Sequence, residues 1–224
     1  MSEQRAVVWD LDGVIVDSGE AHNASWGVMA REFNVRYDPD RDFKTIFGRH
    51  NSEIITSMWG VTDPAQIERM TESKERSFRS SAATMKALPG VIDLMESLQA
   101  AGWKQAIGSS APMKNIAILL KATGAGRYMQ AIVSGDDVKR GKPDPEVFVL
   151  AFEWLGVYPT HGVVIEDAPA GIQAGNAAGA ATLAVTNTQT ADALHSAGAT
   201  LVVDSLVGLA AGDLDVMVNW RARR

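Results

Sequence analysis

Residues 7–17 read VVWDLDGVIVD. A short apolar, partly β-branched run ends at Trp9, and Asp10, Asp12 and Gly13 follow at once. A run of this length most simply forms a buried strand. A carboxylate at its end leaves water at a cost of several kcal/mol unless partners compensate, so a positive group is expected beside Asp10. Asp12-Gly13 by itself is a common turn signal, but a hairpin needs a second strand directly afterwards, and here the chain turns helical and polar. A calcium loop of the EF-hand kind is also unsupported, because the glycine comes too early and the terminal glutamate is missing.

Further along, similar runs end at Ile107, Val133, Ile165, Val185 and Val203. Between them lie stretches with helical spacing. In VIDLMESLQAAG, Val91, Leu94, Met95 and Leu98 share one face and Gly102 is the stop. KNIAILLKATG and PEVFVLAFEWLG behave alike, the second with Pro145 near its first turn. Strand, helix, strand at this cadence predicts an α/β fold, a doubly wound parallel sheet with right-handed crossovers. One segment breaks the rhythm. Between the first and second strands the chain carries polar helical patterns and no convincing strand: Glu20 to Phe33, another from near Ser52, and the charged QIERMTESKERSFRSS. We read residues 16–84 as a small inserted helical cap domain and residues 1–15 with 85–224 as the α/β core.

Composition narrows the function classes. The 224 residues suffice for a core domain with a smaller insertion, and 46% hydrophobic with 21% charged residues is ordinary for a soluble globular chain. A net charge of −6 argues against nucleic-acid or anionic-membrane binding, which calls for a basic face; the basic tail Arg221, Arg223 and Arg224 reads as a solvated end. With no cysteine there is no disulfide framework, thiolate metal site or cysteine nucleophile. No apolar run approaches the roughly 18 residues of a membrane span, and no secretory leader pattern opens the chain. A cytoplasmic monomer or weak homodimer is expected.

Polar motifs follow the apolar runs: Asp10-Leu11-Asp12-Gly13, then Gly108-Ser109-Ser110, then Gly135-Asp136-Asp137 with Arg140-Gly141-Lys142-Pro143, then Glu166-Asp167. In an open parallel sheet the carboxyl ends of the strands share one edge, where ligands bind, so the four motifs should converge. Singly, each has a plain reading. The serines make a helix-capping turn, Lys142 is solvated, and Asp167 caps the helix that Pro169 helps to start. Jointly they describe a site. Asp10, Asp167 and Glu166 form a hard oxygen set suited to Mg2+ together with a substrate phosphate. Ser109 and nearby amides donate to phosphate oxygens, and Lys142 adds a point charge. Gly171, Gly175 and Gly179 recur every four residues; no GxGxxG or Walker A pattern is matched, so close packing of that helix on the sheet is the better account.

These motifs resemble those of the haloacid dehalogenase-like hydrolase superfamily, in its helical-cap subgroup close to β-phosphoglucomutase-like and sugar-phosphate phosphatases. DLDGV from Asp10 resembles the first motif, Ser109 the second, Lys142 in GKPDP the third and VIEDAPAGIQAG the fourth. The resemblance implies a Rossmann-like core. It also implies that Asp10 attacks phosphorus to give an aspartyl-phosphate, and that Asp12 acts as acid and then base with its backbone carbonyl on Mg2+. Ser109 and Lys142 would hold the phosphoryl oxygens, and Glu166 and Asp167 would anchor the metal directly or through water.

The cap should choose the substrate, a small phosphorylated metabolite, by closing over the site. His22 resembles a histidine near the leaving group, and Arg49, His50 and Asn51 resemble the substrate-contacting cap loop after Gly48; Ser110 is a further substrate-side candidate. Lys74 and Arg76 read as a solvated charged face, from which Lys74 could reach a second phosphate. A phosphatase for a phosphosugar or polyol phosphate is the first reading and a β-phosphoglucomutase-like transferase the second. Asn51 stands where such mutases present an arginine, which weakens the second reading, although Arg49 could substitute. A noncatalytic phosphate-binding protein is the third.

Overall fold

A computed structural model of the protein describes residues 4–46 and 49–221. The chain opens with β1 (Ala6–Trp9) and then forms four helices, α1 (Gly19–Glu32), α2 (Pro39–Ile46), α3 (Asn51–Trp59) and α4 (Pro64–Ala82). Alternation follows: α5 (Val91–Ala100), β2 (Lys104–Gly108), α6 (Met113–Thr123), β3 (Ala131–Val133), α7 (Glu146–Leu155), β4 (Gly162–Glu166), α8 (Pro169–Ala178), β5 (Ala181–Val185), α9 (Ala191–Ser196), β6 (Leu201–Val203) and α10 (Ala211–Arg221). Packing divides the chain into an α/β unit, residues 1–17 and 86–224, and a helical unit, residues 18–85.

The α/β unit is built on one six-stranded, all-parallel sheet in the order β3-β2-β1-β4-β5-β6. This is a doubly wound, Rossmann-like sheet whose strand order reverses between β1 and β4, the place where such sheets bind ligands. The expected strands are all present, and every one of their carboxyl ends lies within one residue of its expected position. Both faces of the central strands are covered, so β1 and β4 are buried throughout and read as continuous apolar runs rather than alternating ones. On one face Val8, Ala106 and Val164 pack with Val147, Phe148, Ala151 and Phe152 of α7. Burying each of these large side chains contributes roughly 1.5–3 kcal/mol. That apolar anchorage fixes the sheet edge on which the polar loops stand.

The helical unit has its own core, Trp26 and Met29 of α1, Ile46 of α2, Ile54 and Ile55 of α3 and Met70 of α4. Asp63 caps α4 by accepting from the Gln66 N–H at 3.2 Å, with Pro64 in the first turn. Among the described residues the unit contains no strand, and no described helix is long and apolar enough to cross a membrane.

Candidate active site

Strand register brings the first and fourth motifs side by side. Trp9 pairs with Ile165, and the Asp10 N–H donates to the Ile165 carbonyl at 3.0 Å. The chain then leaves the sheet at both strands, so the side chains of Asp10, Glu166 and Asp167 gather, each offering an oxygen within 4.8 Å of the others. All three are buried. The expected positive partner is Lys142. Its Nζ lies 2.5 Å from Asp10 Oδ1 and 2.7 Å from Glu166 Oε1, with the Phe148 ring below it. Glu166 is held on both oxygens, since Oε2 accepts from the backbone N–H groups of Asp167 at 2.9 Å and Ala168 at 3.0 Å.

Three carboxylates around one ammonium leave the cluster short of positive charge. Burial, reinforced by Glu166, pushes Asp10 up to about 7 against the pull of Lys142. Burial, reinforced by Glu166 and Asp10, pushes Asp167 up to about 9. Burial acts against the Lys142 ammonium, but attraction to Asp10 and Glu166 outweighs it and holds the group above the ordinary lysine value. An all-oxygen donor set with unbalanced buried negative charge fits a hard divalent cation such as Mg2+, and such a charge reverses the local balance. The residues therefore suit the metal.

Two glycines make room for this arrangement. At Gly13 the backbone has φ +82°, and a Cβ there would sit 2.0 Å from Asp167 Oδ2. A Cβ on Gly171 would sit 1.8 Å from Glu166 Oε1. The close approach of α8 thus serves the Glu166 carboxylate first; Gly175 packs on Thr182 and Val164 as expected, whereas Gly179 ends the helix at φ +95°.

The remaining motif residues divide. Ser109 is buried one strand over, at the carboxyl end of β2, and its Oγ accepts from the Ala111 N–H at 3.1 Å. Ser109 is not the cap of α6; Asp136 supplies that bond, to the Met113 N–H at 2.9 Å. Asp137 closes its own turn on Ser134, so both aspartates of the third motif serve local structure. Ser110 is exposed, and Asp12 is half-buried beside Gly13. Asp167 does not cap α8, whose first turn follows Ala168.

In the helical unit His22, Lys74, Glu75 and Asn51 form a second polar cluster. Lys74 corrects the expectation of a solvated face. It is buried, 2.7 Å from Glu75 Oε1 and 2.9 Å from His22 Nδ1, and lies near the rings of Trp26 and Phe78. The reason is helical spacing: Met70, Lys74 and Phe78 share the buried stripe of α4, and the neighbouring Glu72 and Arg76 take the solvent side. His22 stacks on Phe78 with centroids 4.0 Å apart. Asn51 donates to Glu75 Oε1 at 2.7 Å. Arg49 and His50 are exposed, Arg49 donating to Ser57 Oγ at 3.3 Å; Gly48 lies outside the described residues.

A model of the haloacid dehalogenase-like hydrolase family matches residues 7–185. The chain belongs to that family. It is 30% identical over 178 residues to a phosphorylated carbohydrates phosphatase of Thermotoga maritima, covering 78% of this chain and 81% of the relative. It is 32% identical over 181 residues to hexitol phosphatase A of Escherichia coli, covering 81% and 82%. The crystal structure of a β-phosphoglucomutase from Clostridium difficile superposes with a TM-score of 0.86 at 26% identity, covering 99% of this chain and all of that one. The chain is thus a member of a hydrolase family whose relatives include named phosphatases and a phosphomutase.

Sequence reasoning stopped at four motifs and missed the loop after β5. There Thr188 Oγ1 donates to Asp167 Oδ2 and Asn187 Nδ2 donates to the Gly13 carbonyl at 2.7 Å. The signal was present, because Thr186-Asn187-Thr188 follows the fifth apolar run.

Proposed function

We propose that this protein is a Mg2+-dependent phosphatase that hydrolyses a small phosphosugar or polyol phosphate monoester through an aspartyl-phosphate on Asp10. The observation that carries the reading is the meeting of Asp10, Glu166, Asp167 and Lys142 at the reversal point of the sheet. Asp10, Asp167 and the Asp12 carbonyl, with Glu166 beside them, would hold Mg2+, which when bound would supply positive charge for the phosphoryl oxygens. Asp10 attacks phosphorus while Lys142 and Ser109 hold the transferring oxygens, the positioning and charge stabilisation on which phosphoryl transfer depends. Asp12 protonates the departing alkoxide and then takes a proton from the water that cleaves the aspartyl-phosphate. The two relatives named as sugar or polyol phosphatases support the substrate class. We assign substrate choice to the helical unit through His22, Asn51 and Lys74, with Arg49 and His50 as further contacts, and to Ser110 of the α/β unit.

The likeness to β-phosphoglucomutase favours a second reading, transfer to another hydroxyl. Asn51 speaks against it, since its amide is committed to Glu75 and presents no cation for a distal phosphate. Phosphate release from a panel of esters, with and without Mg2+, tests the proposal. Wild type should release phosphate only with the metal, and Asp10→Asn should lose at least roughly 10³-fold. Equal, negligible release from both would favour a phosphate-binding protein. Glucose 6-phosphate formed from β-glucose 1-phosphate faster than phosphate is released would favour the mutase.

A further inference from the structure

We propose that Thr188 is the positioning residue for Asp167, holding one carboxylate oxygen so that the other is left for the divalent cation; this rests on the Mg2+ reading above. The loops after β1, β4 and β5 interlock at this point. Thr188 Oγ1 donates to Asp167 Oδ2 and lies 3.2 Å from the Asp167 carbonyl oxygen. Asn187 holds the Gly13 carbonyl, and a Cβ on Gly13 would meet both Asp167 Oδ2 and, at 3.0 Å, Thr188 Cγ2. A hydroxyl has a single proton to give, and the charged acceptor forms the stronger bond, so the carboxylate takes it when Asp167 is ionised.

The two acidic neighbours are supported very differently. Glu166 receives Lys142 and two backbone N–H groups. Among the described residues Thr188 is the one hydrogen-bond donor to the Asp167 carboxylate. Asp167 is 3% exposed, so water does not readily replace a lost donor. Without the hydroxyl the side chain keeps its burial but loses what fixes its rotation, and groups that orient metal ligands in this way typically contribute about 10–100-fold to metal affinity.

The test is calorimetric titration of Mg2+ into wild type, Thr188→Val, Thr188→Ala, Thr188→Ser and Thr186→Val, with thermal unfolding of each without metal. Thr188→Val and Thr188→Ala should bind Mg2+ about 10–100-fold more weakly. In turnover, the Mg2+ concentration for half-maximal rate should rise by a similar factor, with much of kcat recovered at saturating metal. Thr188→Ser should restore wild-type affinity, and Thr186→Val, whose native hydroxyl serves Asp204 at 3.0 Å, should leave it unchanged. Mg2+ affinity kept in Thr188→Val and Thr188→Ala, with or without a lower unfolding temperature, overturns the inference and leaves the phosphatase reading standing. A wild type that neither binds Mg2+ nor hydrolyses esters overturns both.

Discussion

Replacing Gly171 by alanine sets two effects of opposite sign against each other. Alanine is favoured over glycine in a helix by up to about 1 kcal/mol, the full figure applying to interior positions; Gly171 is the third residue of α8, so helix propensity alone still predicts a more stable protein. The added Cβ, however, would stand 1.8 Å from Glu166 Oε1, where ordinary contact begins at 3.4 Å, so the carboxylate must retreat by 3.4 − 1.8 = 1.6 Å. Glu166 is 2% exposed and cannot retreat into solvent. A move of that size breaks part of its set of three bonds, to Lys142 and to the N–H groups of Asp167 and Ala168. Bonds to a charged acceptor contribute roughly 1.5–3 kcal/mol each. Loss of one or two, less the helix gain, leaves a net destabilisation of about 3 kcal/mol. In a chain of this length that lowers the unfolding temperature by roughly 6–12 °C, readable by calorimetry or circular dichroism, and weakens the Mg2+ dependence of turnover. An unfolding temperature equal to or above wild type, with unchanged Mg2+ dependence, would refute the reasoning.

Asp10 and Asp167 both titrate above the ordinary carboxylate range in the metal-free fold. From about pH 4 upward the unfolded chain therefore gives up protons that the folded one retains, and stability falls as pH rises, levelling off above about 9. Measured against Asp167→Asn, the wild-type unfolding temperature should drop across this window, and saturating Mg2+ should remove the drop; a pH-independent difference would be the contrary result. In the helical unit, Glu75→Ala removes the carboxylate that neutralises the buried Lys74 ammonium and should destabilise by about 3–5 kcal/mol. The double variant Lys74→Met with Glu75→Leu should recover much of that in denaturant unfolding, and a double variant as unstable as the single one would count against the pairing.

The strands were legible because a strand buried on both faces needs an uninterrupted apolar run, and the runs ending at Trp9, Ile165 and Val185 are short and partly β-branched, too short for a buried helix. The polar motifs after the runs ending at Trp9, Ile107, Val133 and Ile165 were legible for the same reason, since the chain must leave the core where apolar residues stop. Lys74 was misread because a charge-rich stretch hides which residue of each turn faces inward; only packing of α4 on its neighbours selects the Met70, Lys74, Phe78 stripe. Asp136 and Asp137 stood in the polar stretch after the third run, where a carboxylate that caps a helix or closes a turn has the same sequence signature as one that binds a ligand.

From sequence alone came the parallel α/β class, the helical insertion, the acidic ends of the first and fourth strands and the need for a cation beside Asp10. Those follow from local rules of burial and chain punctuation. Only the tertiary structure decided that Lys142 is shared between Asp10 and Glu166, that Thr188 serves Asp167, and that Gly13 and Gly171 leave room for two carboxylates. Partners separated by up to 174 residues meet through strand order and register, and these depend on the packing of the entire sheet rather than on any window of the chain.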